Sequence, residues 1–81
     1  MEPRHKHEVL IRFGKRLAAL RKKKKLSFRK MSAQCNVDFS DIKKYENGDK
    51  DLQLTTIVDL ATGLGVHPSA LLSFDFSFIQ K

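Results

Sequence analysis

The stretch from Leu26 to Gly48, which reads LSFRKMSAQCNVDFSDIKKYENG, constrains the fold of this chain more than any other part. Its apolar residues are spaced so that they lie on one face of each of two short helices; they are Leu26, Met31, Cys35, Val37, Ile42 and Tyr45. Asn36 interrupts the pattern, and Asn tolerates the left-handed backbone conformation better than most non-glycine residues. Gly48 ends it as a C-terminal cap. The stretch therefore predicts two short helices packed across a tight corner.

The charge of the chain suggests what such a helix pair binds. Lys and Arg number 16 against 9 Asp and Glu, which gives a net charge of +7 over 81 residues. Residues 1–30 hold 12 of the 16 basic residues, and the run Arg21–Lys25 is the densest part. In a small basic chain, two short helices across a corner are typical of a helix-turn-helix and favour DNA as the partner. The alternative for the basic run is a solvated helix end that complements the helix dipole.

Three more helices complete an all-α prediction. Residues 1–7 are polar, contain Pro3 and predict a loose tail, whereas apolar residues from Glu8 to about Lys24 recur at helical spacing. The other predicted helices cover residues 28–35 after the cap Ser27, 39–46 after the cap Asp38, 54–64, and a short segment from Pro68 that carries Leu71 and Leu72. The sequence thus predicts one five-helix domain over residues 8–73.

The C-terminal tail, residues 74–81, has a different pattern. Phe74, Phe76 and Phe78 alternate with Asp75 and Ser77, the period of a strand with one buried face. So many apolar groups at the end of a small domain need a partner surface. We expect a homodimer interface formed by Val66, Leu71, Phe74, Phe76 and Phe78. The alternative is that the tail folds back on the core of its own protomer.

Several classes of protein receive no support from the sequence. The single cysteine, Cys35, allows no internal disulfide and indicates a reducing compartment. The chain has no apolar run of signal-peptide or membrane-spanning length, so a cytoplasmic protein without membrane contact is expected. His5 and His7 lie in a tail that we expect to be loose, which makes a weak metal site, and no paired acid and base can be assembled. We expect no metal, no cofactor and no enzymatic activity.

With the helices laid out, the chain resembles the phage-repressor, Cro-like (XRE) helix-turn-helix family over residues 10–72. The matching stretches are FGKRLAALRKKKKLS, VDFSDIKKYENG and LTTIVDLATGLGVHPSALL. The resemblance implies a lambda-repressor-like fold and a transcriptional regulator that binds a two-fold-symmetric operator as a homodimer. Phage repressors, restriction-modification controllers and antitoxins all belong to this family, and the sequence leaves all three open.

The resemblance also implies which residues meet DNA. The third helix enters the major groove with Phe39, Ser40 and Lys44 at its reading positions, and with Asp38 and Lys43 at the edge of reach. Lys44 suits guanine, whereas Phe39 offers only apolar contact, best matched by a thymine methyl group. Phosphate contacts are expected from Ser27, Phe28, Arg29, Asn47, Lys50, Lys22 and Lys25. The family pattern further implies a structural ion pair between Arg21 and Glu46.

Some residues depart from the family pattern and motivate a rival hypothesis. Phe28 stands where the family very often has a phosphate-binding Gln, and Asp38 and Asp41 place carboxylates near the DNA. The rival is a protein-interaction module, either antitoxin-like or part of a larger complex, in which Phe39 and the two aspartates face a protein. The basic first helix and Lys44 favour DNA.

Overall fold

Five α-helices follow one another along the chain in a computed structural model, which describes residues 1–79. They are α1 (Pro3–Lys23), α2 (Phe28–Cys35), α3 (Phe39–Glu46), α4 (Leu54–Leu64) and α5 (Pro68–Leu71), and a short 3-10 helix (Ser77–Ile79) follows. Residues 1–79 contain no strand. The all-α, five-helix prediction is confirmed.

The hydrophobic core draws side chains from all five helices. Helix α1 packs on α3, and α2 packs on α4. The buried core residues are Phe13, Leu17, Leu20, Met31, Cys35, Ile42, Tyr45, Leu60, Ala61, Leu64 and Leu71. Burying a side chain of this kind contributes about 1.5–3 kcal/mol. The inward faces predicted from helical spacing are therefore the ones that close the domain.

The burial of Leu71 corrects one prediction. Its side chain is 0% exposed within its own protomer, so the expectation that Leu71 lies in a dimer interface is wrong. Helix α5 is only four residues long and packs against α4 and α1, which turns Leu71 inward. Its neighbour Leu72, at 43% exposed, is the residue that faces solvent.

The N-terminal tail also differs from the prediction. Helix α1 begins at Pro3, so residues 3–7 are helical rather than loose. Proline suits the first turn of a helix because its missing N–H has no partner to lose there. The amide of Lys6 donates to the Glu2 carbonyl at 3.0 Å, and the Lys6 ammonium lies 3.5 Å from Asp51. These contacts continue the helix beyond its apolar stripe.

The predicted strand in the tail is wrong. Asp75 instead caps a 3-10 turn, accepting from the Ser77 amide at 2.9 Å and from its hydroxyl at 2.8 Å. Strand geometry leaves backbone groups unpaired unless a second strand is available, and within residues 1–79 there is none. The alternating rings stack on each other, with centroids 4.4 Å apart for Phe74 and Phe76 and 6.3 Å for Phe76 and Phe78. The last two residues of the predicted tail lie outside the described residues.

The corner between α2 and α3 forms as the residue types suggest. Asn36 adopts a left-handed conformation with φ of 58°. Ser27 accepts from the amide of Lys30 at 3.1 Å, which caps α2. Cys35 at the end of α2 is buried, and burial, followed by the nearby charge of Asp59, raises the pKa of its thiol to about 11. The thiol therefore stays protonated at neutral pH and acts as a small core residue.

No helix within residues 1–79 combines the length and the apolar character needed to cross a bilayer.

Candidate nucleic-acid interface

The C-terminal end of α3 is anchored to α1 by a nearly buried ion pair. Arg21 Nε donates to Glu46 Oε2 at 2.6 Å, and Arg21 Nη2 donates to Glu46 Oε1 at 3.1 Å. The two side chains are only 11% and 8% exposed. Arg21 Nη1 also donates to the Leu26 carbonyl at 2.9 Å, so one guanidinium joins α1, the loop before α2 and the end of α3. The arrangement sets the angle of α3 relative to the domain.

A close approach of the backbones reinforces this anchor. Gly14 of α1 is buried, and a methyl group at its position would overlap the carbonyl oxygens of Tyr45 and Glu46. Gly48, just after α3, has a φ of 74° and lies against Ile11. Two glycines thus allow the end of α3 to rest directly on α1.

The outer face of α3 is open to solvent. Ser40, Lys43 and Lys44 are exposed, and Phe39 is half-buried. Inward-facing Ile42 and Tyr45 are buried, so the predicted reading residues lie on the opposite side of the helix from the core. The structure places Ser40, Lys43 and Lys44, together with the half-buried Phe39, on the outer face of α3.

The two carboxylates near this surface are both engaged. Asp38 caps α3 by accepting from the Ser40 amide and hydroxyl, each at 3.1 Å, and the amide is the first cause that lowers the pKa of Asp38. Asp41 accepts from Lys50 Nζ at 3.0 Å, and this hydrogen bond raises the pKa of Lys50. The negative charges are thus partly compensated before DNA is present.

The predicted phosphate-contacting residues lie on both sides of α3. Ser27, Phe28 and Arg29 stand at the start of α2, where backbone amides have no helical acceptor. Lys22 and Lys25 are exposed at the end of α1, and Lys25 adopts a left-handed conformation with φ of 58°. Asn47 and Lys50 are exposed beyond the other end of α3. We call the exposed face of α3 with Phe39, Ser40, Lys43 and Lys44 the reading surface. Cationic or amide donors therefore flank the reading surface on two sides.

Two aromatic rings in this surface have cationic partners that sequence reasoning missed. The Arg21 guanidinium lies 4.0 Å and the Lys43 ammonium 5.4 Å from the centroid of the Phe28 ring. The Arg29 guanidinium lies 4.8 Å and the Lys43 ammonium 5.5 Å from the centroid of the Phe39 ring. Only one of these contacts has a sequence signal, because Lys43 follows Phe39 by four residues in the same helix.

The candidate dimer surface is only partly exposed. Val66 and Phe74 pack against the core of their own protomer, and Phe78 is half-buried beneath the Arg12 guanidinium, 4.4 Å from its ring centroid. Phe76 is 40% exposed. The tail therefore folds back on α1 and leaves Phe76 facing outward. Two further apolar side chains on α4 are exposed, Val58 at 42% and Leu54 at 75%, although helical spacing predicts that Leu54 shares the inward face of α4.

The comparisons with known proteins agree with this geometry. A family described as "Helix-turn-helix domain" matches residues 12–73. The chain is 36% identical over 76 residues to the control protein C.MunI from a Mycoplasma species, covering 93% of this chain and 97% of that protein.

Solved structures show the same fold. The crystal structure of the restriction-modification controller protein C.AhdI from Aeromonas hydrophila superposes with a TM-score of 0.75 at 35% identity, over 76% of this chain and 94% of that one. A helix-turn-helix transcriptional regulator from Vibrio cholerae gives a TM-score of 0.81 at 22% identity, over 84% of this chain and 38% of that one, which is a likeness of fold.

In helix-turn-helix proteins, the second helix of the motif lies in the major groove, and an exposed helix face flanked by cations suits that placement. The chain belongs to the helix-turn-helix family of DNA-binding transcriptional regulators.

Proposed function

We propose that the chain is a restriction-modification controller: a homodimer that binds a two-fold-symmetric operator and regulates transcription. The likeness to C.MunI over 97% of that protein, and to C.AhdI over 94%, supports this choice within the family over phage repressors and antitoxins. A protein that binds operator DNA acts inside the cell. The relatives that support the proposed function are control proteins rather than enzymes.

The exposed face of α3 carries the proposal. Lys44 donates to guanine O6 and N7, Ser40 bonds to a neighbouring base, and Phe39 makes apolar contact. Lys43 and Asp38 lie at the edge of the groove, where Asp38 serves mainly as the cap of α3. The role of α3 is thus to present a few side chains, some polar and one apolar, to the edges of the bases.

Phosphate contacts fix the register of α3 in the groove. The start of α2 supplies Ser27, Phe28 and Arg29, the basic end of α1 supplies Lys22 and Lys25, and the loop after α3 supplies Asn47 and Lys50. Each phosphate that is neutralised lowers the slope of log K against log salt by about 0.9. Steep salt dependence should therefore accompany binding.

The engaged carboxylates weaken the rival hypothesis of a protein-interaction module. That hypothesis gains its support from Phe39, Asp38 and Asp41, and the two aspartates have partners within the protein. Because Lys50 already pairs with Asp41, the carboxylate of Asp41 is not free to attract a basic protein. DNA remains the better partner.

Selection of bound sequences from a random duplex pool tests the proposal. We expect a palindromic motif with the wild-type protein, and a relaxed motif at one base pair per half-site with Lys44→Ala. Lys15→Ala, which removes an equal charge from an exposed position on α1, should leave the motif unchanged. Recovery of no motif, with only weak retention of any duplex, would favour the protein-interaction module.

The dimer interface has its own test. Phe76→Asp should convert the dimer to a monomer in sedimentation equilibrium, because it places a charge where the tail presents its exposed ring. Leu54→Asp is the matched change on α4. If Phe76→Asp stays dimeric and Leu54→Asp becomes monomeric, the interface lies on α4 and the tail has no part in it.

A further inference from the structure

Phe39 is the unusual residue of the reading surface. An apolar ring at the start of a groove-facing helix is costly to leave in water unless it packs on something. Within residues 1–79, the partly buried apolar side chains packed against the core include Phe28 but not Phe39. The partners of the Phe39 ring are instead two cations, Arg29 of α2 and Lys43 of α3.

These contacts extend into an alternating series, which we call the cation–aromatic ladder. Its members, in spatial order, are Arg21, Phe28, Lys43, Phe39 and Arg29. All four centroid distances lie between 4.0 and 5.5 Å, within the range in which a cation is attracted to a ring face. One end of the ladder is the Arg21 guanidinium, which donates two hydrogen bonds to the Glu46 carboxylate. The ladder therefore connects Phe39 to the most rigid part of the domain.

Arg29 can hold the ring and contact DNA at once. Its guanidinium carbon lies 4.8 Å from the centroid of the Phe39 ring. Within residues 1–79 its N–H groups make no hydrogen bond, and a planar guanidinium can meet a ring with its face while a phosphate accepts from its N–H groups. Arg29 also projects from α2, next to the helix start that faces the DNA backbone. Arg29 and Lys43 both lie close to the Phe39 ring, and their attraction to it restrains the ring from turning away from the groove.

The chemistry of the major groove indicates what such a ring can recognise. The edges of the bases present hydrogen-bond donors and acceptors there, and the apolar group among them is the C5-methyl of thymine. A cytosine methylated at C5 carries the same group. A phenyl ring cannot bond to the polar edges, so its contribution to specificity depends on that methyl group.

Resting on the proposed function, we propose that Phe39 reads a pyrimidine C5-methyl group and that Arg29 is its positioning residue. Operator binding therefore depends on methylation at one pyrimidine in each half-site. At this position, thymine and 5-methylcytosine are the favoured bases in the strand that faces the ring. Uracil and unmodified cytosine are disfavoured.

The experiment uses the operator recovered by selection. Each thymine of one half-site is replaced in turn by uracil, which lacks the methyl group, and each cytosine by 5-methylcytosine, which adds one. Dissociation constants are measured for wild type, Phe39→Ala, Arg29→Lys and the control Lys15→Ala. We expect one pyrimidine at which the methyl group strengthens wild-type binding by about fourfold, the value of burying one such group.

The variants separate reading from positioning. Phe39→Ala should bring the ratio of the two dissociation constants to about one, because nothing remains to contact the methyl group. Arg29→Lys keeps the charge and thus most of the affinity and salt dependence, yet should lower the ratio, since an ammonium lacks the planar face that fixes the ring. Lys15→Ala should keep the full ratio.

Three results would overturn the proposal: no pyrimidine at which the methyl group matters, a ratio that survives Phe39→Ala, or a ratio that Arg29→Lys leaves untouched. Arg29 is exposed and outside the core, so its variant supplies a result even if Phe39→Ala fails to fold. Failure of the proposed function is distinguishable, because it leaves no selected operator. Failure of this inference leaves a selected operator bound without regard to pyrimidine methylation.

Discussion

The two ends of α3 differ in almost every physical respect although they are less than two helical turns apart. At the C-terminal end, Tyr45 is buried, Glu46 is paired with Arg21, and the backbone touches α1 at Gly14. At the N-terminal end, Ser40 and the cap Asp38 are both exposed. The C-terminal end fixes α3 to the domain, and the exposed face of the helix is the surface that we propose reads DNA. Changes at the first should alter stability, and changes at the second should alter binding.

The largest expected effect comes from breaking the ion pair. Glu46→Gln leaves the Arg21 guanidinium, only 11% exposed, without its counter-charge. The free energy of unfolding should fall by about 3 kcal/mol, since removing one partner of a shielded ion pair leaves the other charge unpaired and poorly solvated. Urea denaturation followed by circular dichroism measures it.

The exposed pair of Glu8 and Arg12 supplies the control for that variant. Its carboxylate and guanidinium lie at a similar distance of 2.7 Å but are 41% and 35% exposed. Glu8→Gln should cost less than about 1 kcal/mol. If Glu46→Gln costs no more than Glu8→Gln, the pair does not anchor α3.

A smaller loss should follow from adding one methyl group at the same end. Gly14→Ala places a Cβ inside the contact distance of the Tyr45 and Glu46 carbonyls, which are backbone atoms and cannot turn aside. Alanine is the better helix former by about 1 kcal/mol, so any destabilisation must come from the displaced α3. We expect a net loss of about 1–2 kcal/mol in urea unfolding.

The Gly14→Ala variant also tests whether the position of α3 affects operator binding. Displacing α3 should weaken operator binding more than the loss of stability explains. Lys15→Ala, the next residue on the exposed side of α1, should change neither property. Unchanged unfolding of Gly14→Ala would mean that α1 and α3 can separate at no cost.

On the exposed face of α3, Lys44→Ala should separate binding from stability. Lys44 is exposed, and within residues 1–79 it makes no ion pair. We expect unfolding to change by less than about 0.5 kcal/mol. Operator affinity should drop by about tenfold, measured by fluorescence anisotropy at fixed salt. A loss of stability equal to the loss of binding would place Lys44 in the scaffold instead.

The smallest effect concerns the acid range. The Ser40 amide holds the pKa of Asp38 below its usual range, so the carboxylate stabilises the fold at pH above the unfolded pKa. That contribution is lost as the pH falls through the lowered pKa. Asn is as good a cap and does not titrate. Asp38→Asn should therefore show a flatter decline of stability on acidification than wild type, with Asp59→Asn on α4 as control.

The sequence predicted the interior of the domain better than its ends. The limits of α2, α3 and α4 agree with the prediction because each has a polar cap at or near its start, an apolar stripe and a breaking residue. The start of α1 and the form of the tail did not agree. Both lack an apolar stripe matched to helix period. The start of α1 depends on local contacts such as the Lys6 amide to the Glu2 carbonyl, and the tail depends on distant ones such as Arg12 over Phe78.

The reading surface was predictable only as a set of residue types. Helical spacing puts Ser40, Lys43 and Lys44 on one side of α3, so their exposure follows from the pattern that buries Ile42 and Tyr45. The partners of Phe39 do not follow from spacing. Arg29 belongs to another helix, and its distance to the ring depends on the angle at which α2 and α3 cross.

The sequence by itself determined the helices, the corner between them, the basic character of one half and the family. These depend on periodicity, caps and charge, which act between residues close together in the chain. Only the tertiary structure decided that Leu71 is buried, that the Phe-rich tail turns back on α1, and that cations and rings alternate across the reading surface. Packing decides such features because they join residues distant in sequence, and their contacts exist only once the helices have fixed their relative positions.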